Sequence, residues 1–331
     1  MKKQFVNLFI FSIMVNVAQS QYKAVGIVER YDNALDKIVS PNAKAEIIAE
    51  GFDWSEGALW VEKYKMLLFS DVPTNTIYKW TEAKGKEVYL NPSGYTGSIQ
   101  RGGEMGSNGL TLDNNGNLVM CQHGDRRMAR MDASIDNPQS KFVTLADKYG
   151  GKRFSSPNDA TFNSKGELFF TDPPYGLLSQ SDNDPAKEIT WNGVYKVKAN
   201  GDVILLTDSL TRPNGIAFFP GEKKLLVANS DPGKANWYIF DVNGDKLSNG
   251  RIFYHASSEK GMKGLPDGFK IDKEGNVFAT GPGGVHIFNK DGKLLGKLRL
   301  DEATSNCSLS GDQKILYITN DMYVLRFKMR D

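Results

Sequence analysis

The chain contains 331 residues, and its 41 basic and 39 acidic side chains leave a formal net charge of only +2. This balance excludes the strong positive field that nucleic-acid-binding proteins present to phosphate backbones. After residue 20, no apolar run approaches the roughly 20 residues that a helix needs to cross a bilayer. We therefore expect neither nucleic acid nor a membrane as a partner, and the sequence leaves the oligomeric state open.

The first 20 residues have the order of an export signal: Lys2 and Lys3, an apolar stretch from Phe5 to Val17, and a small-x-small site at Ala18-Gln19-Ser20. This order is typical of secretory signal peptides, which are removed from the mature protein. The alternative is a short buried N-terminal helix. We expect a protein exported to a periplasm or out of the cell, with residues 21–40 as a leading segment before the folded domain.

The chain has two cysteines, Cys121 and Cys307, and three histidines. Both cysteines lie in apolar, strand-like runs rather than at the spacings of a disulfide framework, so we expect buried free thiols. No Cys/His group has the spacing of zinc ligands, which disfavours a thiolate or histidine metal site.

One sequence unit recurs six times along the chain. Each copy begins with a polar residue, usually followed by glycine, and continues into an apolar strand, a turn and a second strand. Successive copies are separated by 52, 50, 56, 53 and 39 residues. Repeats of about this length are typical of solenoids and propellers. The six polar residues are Glu56, Asn108, Asn158, Asn214, Asp267 and Asn306.

A third alternating strand follows in every unit, and a fourth follows in the first five, for example at 86–90 and 202–206. The sixth unit ends at residue 331 without a fourth strand, whereas an unassigned strand-like stretch at 45–52 precedes the first unit. Four-stranded units arranged radially form a β-propeller, and an added strand would cover the open edge of the last one. The predicted fold is all-β: a six-bladed β-propeller over residues 41–331, closed by an N-terminal strand.

Two segments, 91–107 and 174–190, are longer than a turn requires, and we call them the mouth loops. Long loops without regular structure in a compact domain are often functional. Mere tolerance of an insertion by the fold is the alternative. Both loops are expected to overhang the mouth of the central tunnel.

The repeated polar position is predicted to be one shared site, because the first strand of every propeller blade lines the central axis. Its six residues supply two carboxylates and four carboxamides, and buried polar oxygens need partners. Ca²⁺ takes about six to eight oxygen ligands in a flexible geometry, whereas Zn²⁺ favours nitrogen and sulfur. Ca²⁺ is therefore the first choice, with Mg²⁺ or Mn²⁺ in reserve. The alternative is that the Asn-Gly and Asp-Gly pairs only form turns.

Five motifs resemble the gluconolactonase, SMP-30 and luciferin-regenerating-enzyme family: WSEGALW, SNGLTLD, SPNDATF with FTDPPYG, RPNGIAF and LPDGFKI. CQHGDRR and WNGVYKV are most similar to its bacterial gluconolactonase branch. The resemblance implies a six-bladed propeller that hydrolyses sugar lactones, with Asn108 lining the pocket. One departure is that the stretch 155–157 reads SSP where animal members carry an arginine, so their substrate contacts are not carried over. The metal ligands implied by the resemblance are Glu56, Asn158, Asn214 and Asp267.

Asp267 is the expected general base, because one of its oxygens could bind the cation while the other accepts a proton from the attacking water. In the alternative, Asp267 is a ligand only and the metal itself activates the water. The expected substrate-binding residues are Asn108, His123, Arg127 and Tyr175. For His123 and Arg127, the alternative is a place in a surface loop.

The sequence thus predicts a Ca²⁺-dependent hydrolase acting on a cyclic carboxylic ester, namely a small sugar lactone such as gluconolactone. Two other classes stay open, because a fold does not fix a function. One is a different metal-dependent propeller hydrolase, either phosphotriesterase-like or sugar-processing. The other is a non-enzymatic propeller that binds a glycan or a peptide and contains structural Ca²⁺.

Overall fold

A computed structural model describes residues 22–99, 101–256 and 261–330. The predicted export signal at 1–20 lies outside these residues. Within them, no helix is long and apolar enough to cross a membrane. Helical structure in the described chain is confined to two short 3-10 segments, Asn33–Lys37 and Glu62–Tyr64.

Six antiparallel sheets, which we call blades 1 to 6 in chain order, form the body of the described chain. In each blade the first strand is the innermost. The innermost strands contact one another in sequence, and that of blade 6 contacts that of blade 1, so the ring is closed. This is the six-bladed β-propeller that the sequence repeat predicted.

The strands of blade 1 are Ser55–Val61, Met66–Asp71, Thr76–Thr81 and Gly85–Leu90. Those of blade 2 are Ser107–Leu112, Leu118–Gln122, Arg127–Met131 and Phe142–Ala146, and those of blade 3 are Ala160–Phe162, Leu168–Asp172, Gly193–Val197 and Val203–Thr207. Blade 4 contains Pro213–Phe218, Lys224–Asn229, Asn236–Asn243 and Lys246–His255, and blade 5 contains Phe269–Ile271, Val277–Gly281, Gly284–Phe288 and Leu294–Arg299. Blade 6 contains Asn306–Leu309, Ile315–Asn320, Tyr323–Lys328 and Lys44–Glu50. A separate two-stranded hairpin joins Lys148–Tyr149 to Lys152–Arg153.

Blade 6 is built from both ends of the chain. Strand Lys44–Glu50 pairs antiparallel with Tyr323–Lys328, from Glu50 opposite Tyr323 to Lys44 opposite Lys328. The pairing covers a backbone edge that the C-terminal strands would leave open, and it confirms closure by an N-terminal strand. Two shorter strands widen blades 6 and 5: Ala24–Val25 pairs with Lys44–Glu50, and Ile27–Arg30 pairs with Leu294–Arg299.

The hydrophobic core lies between neighbouring blades. Leu68 and Ile77 of blade 1, for example, pack in one cluster with Leu110 and Met120 of blade 2, and all four are buried. Burial of one such side chain contributes roughly 1.5–3 kcal/mol, so the contacts on both sides of a blade fix its place in the ring. Both cysteines are buried and free, as predicted.

Candidate active site at the propeller axis

Five of the six repeated polar residues converge on one cavity at the start of the innermost strands. The cavity has a volume of about 350 Å³. The glutamate and the three asparagines among these repeated residues are at most 3% exposed, whereas Asp267 is partly exposed although its Oδ1 atom is buried. The structure thus brings the four predicted metal ligands together with Asn108. The five residues are Glu56, Asn108, Asn158, Asn214 and Asp267.

Backbone irregularities turn these side chains toward the axis. In blades 1, 2 and 4 the pairing of the first two strands shifts register next to the axial residue, as between Glu56 and Leu59, and such bulges re-aim side chains. Gly57 at the bulge has a φ of 57°. A Cβ atom there would lie 2.1 Å from the Asn108 carbonyl oxygen. Glycine follows the polar residue at this point because the next blade leaves no room for a side chain.

Hydroxyl groups tie the axial residues to the preceding blade. Ser70 of blade 1 donates to the Asn108 carbonyl oxygen over 2.9 Å, and Thr171 of blade 3 donates to the Asn214 carbonyl oxygen over 2.8 Å. Thr280 of blade 5 likewise bonds the backbone of blade 6. These bonds are buried, so breaking one would leave an unpaired polar group at a cost of about 1–3 kcal/mol. They fix the relative positions of oxygen donors that come from different blades.

The two mouth loops contact each other beside the cavity. Gln180 Nε2 donates to Glu104 Oε1 over 3.1 Å, and Arg101 donates to the Gly176 carbonyl oxygen over 2.6 Å. Glu104 and Gln180 line the cavity, so the loops supply part of its wall. Behind Glu104, the buried ring of His123 places Nδ1 3.4 Å from Glu104 Oε2.

Burial and mutual repulsion oppose ionisation of the axial carboxyl groups. Burial raises the pKa of Glu56 to about 8, and the negative charges of Glu104 and Asp159 add to the rise. The pKa of Asp267 also lies well above its ordinary value, first because of burial and then because of the neighbouring carboxylates, with Glu56 foremost. A nearby positive charge would reverse both shifts, because it favours the ionised form.

The oxygen atoms of the site fit a hard divalent cation. Asn108 Oδ1 and Asp267 Oδ1 are buried and have no hydrogen-bond partner in the described chain, and Glu56 Oε2 accepts one bond from the neighbouring Gly57 N–H. Carboxylate and amide oxygens are the ligands that Ca²⁺ prefers. Across the described residues, no three His, Cys, Asp or Glu side chains are grouped to bind a metal by themselves. A cation at this site would therefore need the asparagine oxygens as well.

Comparison with known proteins assigns the chain to a family. Residues 54–321 match the family described as the SMP-30/gluconolactonase/LRE-like region. The chain belongs to this family. A gluconolactonase from Zymomonas mobilis is 37% identical over 314 residues, which cover 92% of this chain and 87% of the relative. The resemblance inferred from the five motifs is thus confirmed.

Solved structures of SMP-30/gluconolactonase-like proteins share the propeller fold. A gluconolactonase from Xanthomonas campestris superposes with a TM-score of 0.79 at 28% identity, over 93% of this chain and 98% of that chain. Regucalcin from Agrobacterium tumefaciens, described as a calcium-binding protein, superposes with a TM-score of 0.65 at 16% identity, over 86% and 94% of the two chains. The second likeness concerns the fold alone.

The four predicted substrate-binding residues of this family member occupy three different environments. Asn108 and Tyr175 line the cavity. Burial and the charge of Asp267 raise the pKa of Tyr175, so its hydroxyl group stays protonated. His123 does not line the cavity but lies behind Glu104. Arg127 is outside the site altogether.

Strand geometry explains the position of Arg127. It begins the third strand of blade 2, away from the innermost strand. Its guanidinium group donates to Gln122, Asp125 and Thr144. These bonds hold the blade together, and they leave Arg127 with no contact to the cavity lining.

Asn306 is the axial residue that does not line the cavity. Its Oδ1 accepts a hydrogen bond from the Cys307 N–H over 2.9 Å. The side chain packs against Gly268 of blade 5, where a Cβ atom would lie 2.2 Å from the Asn306 Cγ. Asn306 therefore fills the joint between blades 5 and 6.

Much of the cavity wall was missed by sequence reasoning, because its residues come from connecting segments outside the repeat. Glu104 is the charged residue among them. The sequence feature that could have pointed to it is its place as the single acidic residue in the Gly-rich mouth loop, shortly before Asn108. The principal missed residues are Glu104, Gln180, Ser230, Leu265 and Thr304.

Proposed function

We propose that this chain is an enzyme that hydrolyses a sugar-type lactone in the axial cavity, with gluconolactone as the first candidate. The observation that carries the proposal is the convergence of two carboxylates and three amides from the repeated axial position on one cavity of about 350 Å³. A volume of this order suits a single small ligand. Similarity to gluconolactonases over more than nine-tenths of the chain supports the same reaction class.

The proposal includes a divalent cation, with Ca²⁺ as the first choice and Mg²⁺ or Mn²⁺ in reserve, bound by Glu56, Asn158, Asn214 and Asp267. Two observations support it: the unpaired Asp267 Oδ1 and the raised pKa values of Glu56 and Asp267. Both observations indicate that the carboxylates are buried with no positive charge beside them to compensate. When bound, such a cation stabilises negative charge that develops on the lactone carbonyl oxygen.

Asp267 is the proposed general base. One oxygen of its carboxylate can bind the cation while the other accepts a proton from a water molecule that attacks the ring carbonyl carbon. The bond between that carbon and the ring oxygen then breaks, the ring oxygen takes up a proton, and the product is a hydroxy acid. Tyr175 remains protonated, and its hydroxyl group, which donates to the Ser230 carbonyl oxygen over a long 3.4 Å, can turn to donate to the substrate instead. The free Asn108 amide oxygen can accept a hydrogen bond from a sugar hydroxyl group.

The proposed enzyme acts outside the cytoplasm, because residues 1–20 have the order of an export signal. Mass spectrometry of the protein recovered from the cell envelope or medium should show a chain that begins after Ser20. A full-length chain retained in the cytoplasm would contradict export.

A substrate panel tests the reaction class. The purified protein should hydrolyse aldonolactones faster than the spontaneous rate, and it should hydrolyse them in preference to aryl esters and phosphotriesters. An Asn214→Ala variant prepared in parallel serves as the matched control for contaminating activity. Preferred turnover of a phosphotriester would indicate the other hydrolase class, and no turnover of any ester would favour a binding protein.

A further inference from the structure

The charge of the cavity wall indicates which lactones the site accepts, an inference that rests on the proposed function. We propose that Glu104 is a specificity-determining residue that restricts the site to uncharged lactones. Lactones that carry a free carboxylate or phosphate group would be rejected by charge repulsion at this residue.

Acidic side chains, and no basic ones, line the cavity in the described part of the chain. Glu56, Glu104 and Asp267 belong to the wall, and no described Lys, Arg or His does. Three carboxylates exceed the charge of one divalent cation, so the wall stays negative even around such an ion. Because the axial side chains of the cavity are largely buried, this excess acts more strongly on a second anion than it would in bulk water.

Three basic residues that the structure describes near the mouth have other partners. Arg101 donates to two backbone carbonyl groups, those of Gly124 and Gly176. Arg212 is paired with Asp182 at 2.8 Å, and Lys263 is paired with Glu302 at 2.6 Å. Of these three described residues, Arg212 and Lys263 therefore have their charges balanced by acids, and Arg101 does not line the cavity. An anionic substituent on the substrate would gain little from them against its repulsion by the wall.

Glu104 differs from the other two acids of the wall in its origin. It comes from a mouth loop, whereas Glu56 and Asp267 occupy the repeated axial position of their blades. Gln180 donates to its Oε1 over 3.1 Å, and the buried His123 ring packs behind it with Nδ1 3.4 Å from Oε2, although the two atoms form no hydrogen bond. This support keeps the charge at the wall instead of letting the side chain swing into solvent. Glu104 therefore meets the part of the substrate that faces the mouth loops.

The same charge acts on the product. Hydrolysis converts an uncharged lactone into an aldonate anion, so a wall that admits the substrate repels the acid that is formed. Weak inhibition by product follows from this, and it provides a second readout that does not depend on turnover of an anionic substrate.

Two lactones that differ in one group test the proposal: D-glucono-1,4-lactone and D-glucaro-1,4-lactone, which carries a carboxylate in place of the terminal hydroxymethyl group. At pH 8 and saturating Ca²⁺, the wild type should show a kcat/KM about 10²-fold higher for the uncharged lactone, and Glu104→Gln should lower this preference about tenfold. Glu104→Asp, which restores the charge, should recover most of the preference. Glu222→Gln removes a carboxylate that is outside the cavity and accepts hydrogen bonds from Ser164, so it should leave the ratio unchanged.

Gluconate binding to the same four proteins, measured by calorimetry and as competitive inhibition, gives the independent readout. Gluconate should bind Glu104→Gln about tenfold more tightly than the wild type, with Glu104→Asp and Glu222→Gln close to the wild type. Turnover of both lactones at a ratio that Glu104→Gln does not change would overturn charge selection while leaving the proposed function intact. Turnover of neither lactone would contradict the proposed function, and this inference with it.

Discussion

Replacement of Asp267 by asparagine should lower kcat for an aldonolactone by about 10²-fold or more at saturating Ca²⁺, the usual size of a general-base contribution. Asparagine keeps an oxygen that can bind a cation, but it cannot accept a proton from water. KM should change little because the replacement has the same size and stays in the same part of the wall. Steady-state kinetics on protein of measured metal content provides the test.

Asp159→Asn is the matched control for loss of a buried negative charge. Asp159 follows Asn158 directly and is 2% exposed, its Oδ2 atom is also unpaired, and the residue does not line the cavity. The Asp159→Asn replacement should reduce kcat far less than the Asp267→Asn replacement does.

Asn108→Ala should instead raise KM, because it removes a contact made in both the ground state and the transition state. A metal-loaded Asp267→Asn enzyme within a few-fold of wild type would make Asp267 a ligand only.

The fold and the axial donors could be predicted because both are properties of the repeat. A polar residue at the same point of six units must reach the same axis in a closed ring, so Glu56 and Asp267, 211 positions apart, were placed together without any local signal between them. The strand at Lys44–Glu50 was predictable for a related reason, since the last blade lacked one member and its open edge required a partner.

Residues outside the repeat could not be placed in the same way. Glu104 and Gln180 meet because two long loops fold toward each other, and no periodicity relates their positions.

Arg127 was predicted to bind substrate because it closely follows His123 in the chain, but closeness in sequence does not bring it to the cavity. His123 lies at a blade end beneath a mouth loop, whereas Arg127 already lies on the third strand and bonds within its blade. Asn306 has the repeated position but a different environment, because Gly268 of blade 5 leaves space that its side chain fills.

Thermal unfolding across pH, with and without Ca²⁺, tests most directly whether a cation occupies the axial carboxylates. Because the pKa of Glu56 is raised from 4.5 to about 8, the folded, cation-free protein binds this proton more tightly than the unfolded chain does. The free energy of unfolding in chelator should therefore fall as the pH rises from about 5 to about 8, by on the order of a few kcal/mol. The raised pKa of Asp267 acts in the same direction.

Ca²⁺ should reverse this trend, because it binds the ionised carboxylates and stabilises the folded state by mass action. At pH 8 an excess of Ca²⁺ should raise Tm by several degrees over the chelated protein, at pH 5 it should raise Tm much less, and Glu56→Gln should weaken both the pH dependence and the response to Ca²⁺. A Tm at pH 8 that is the same in chelator and in excess Ca²⁺, Mg²⁺ or Mn²⁺ would contradict a cation at the propeller axis.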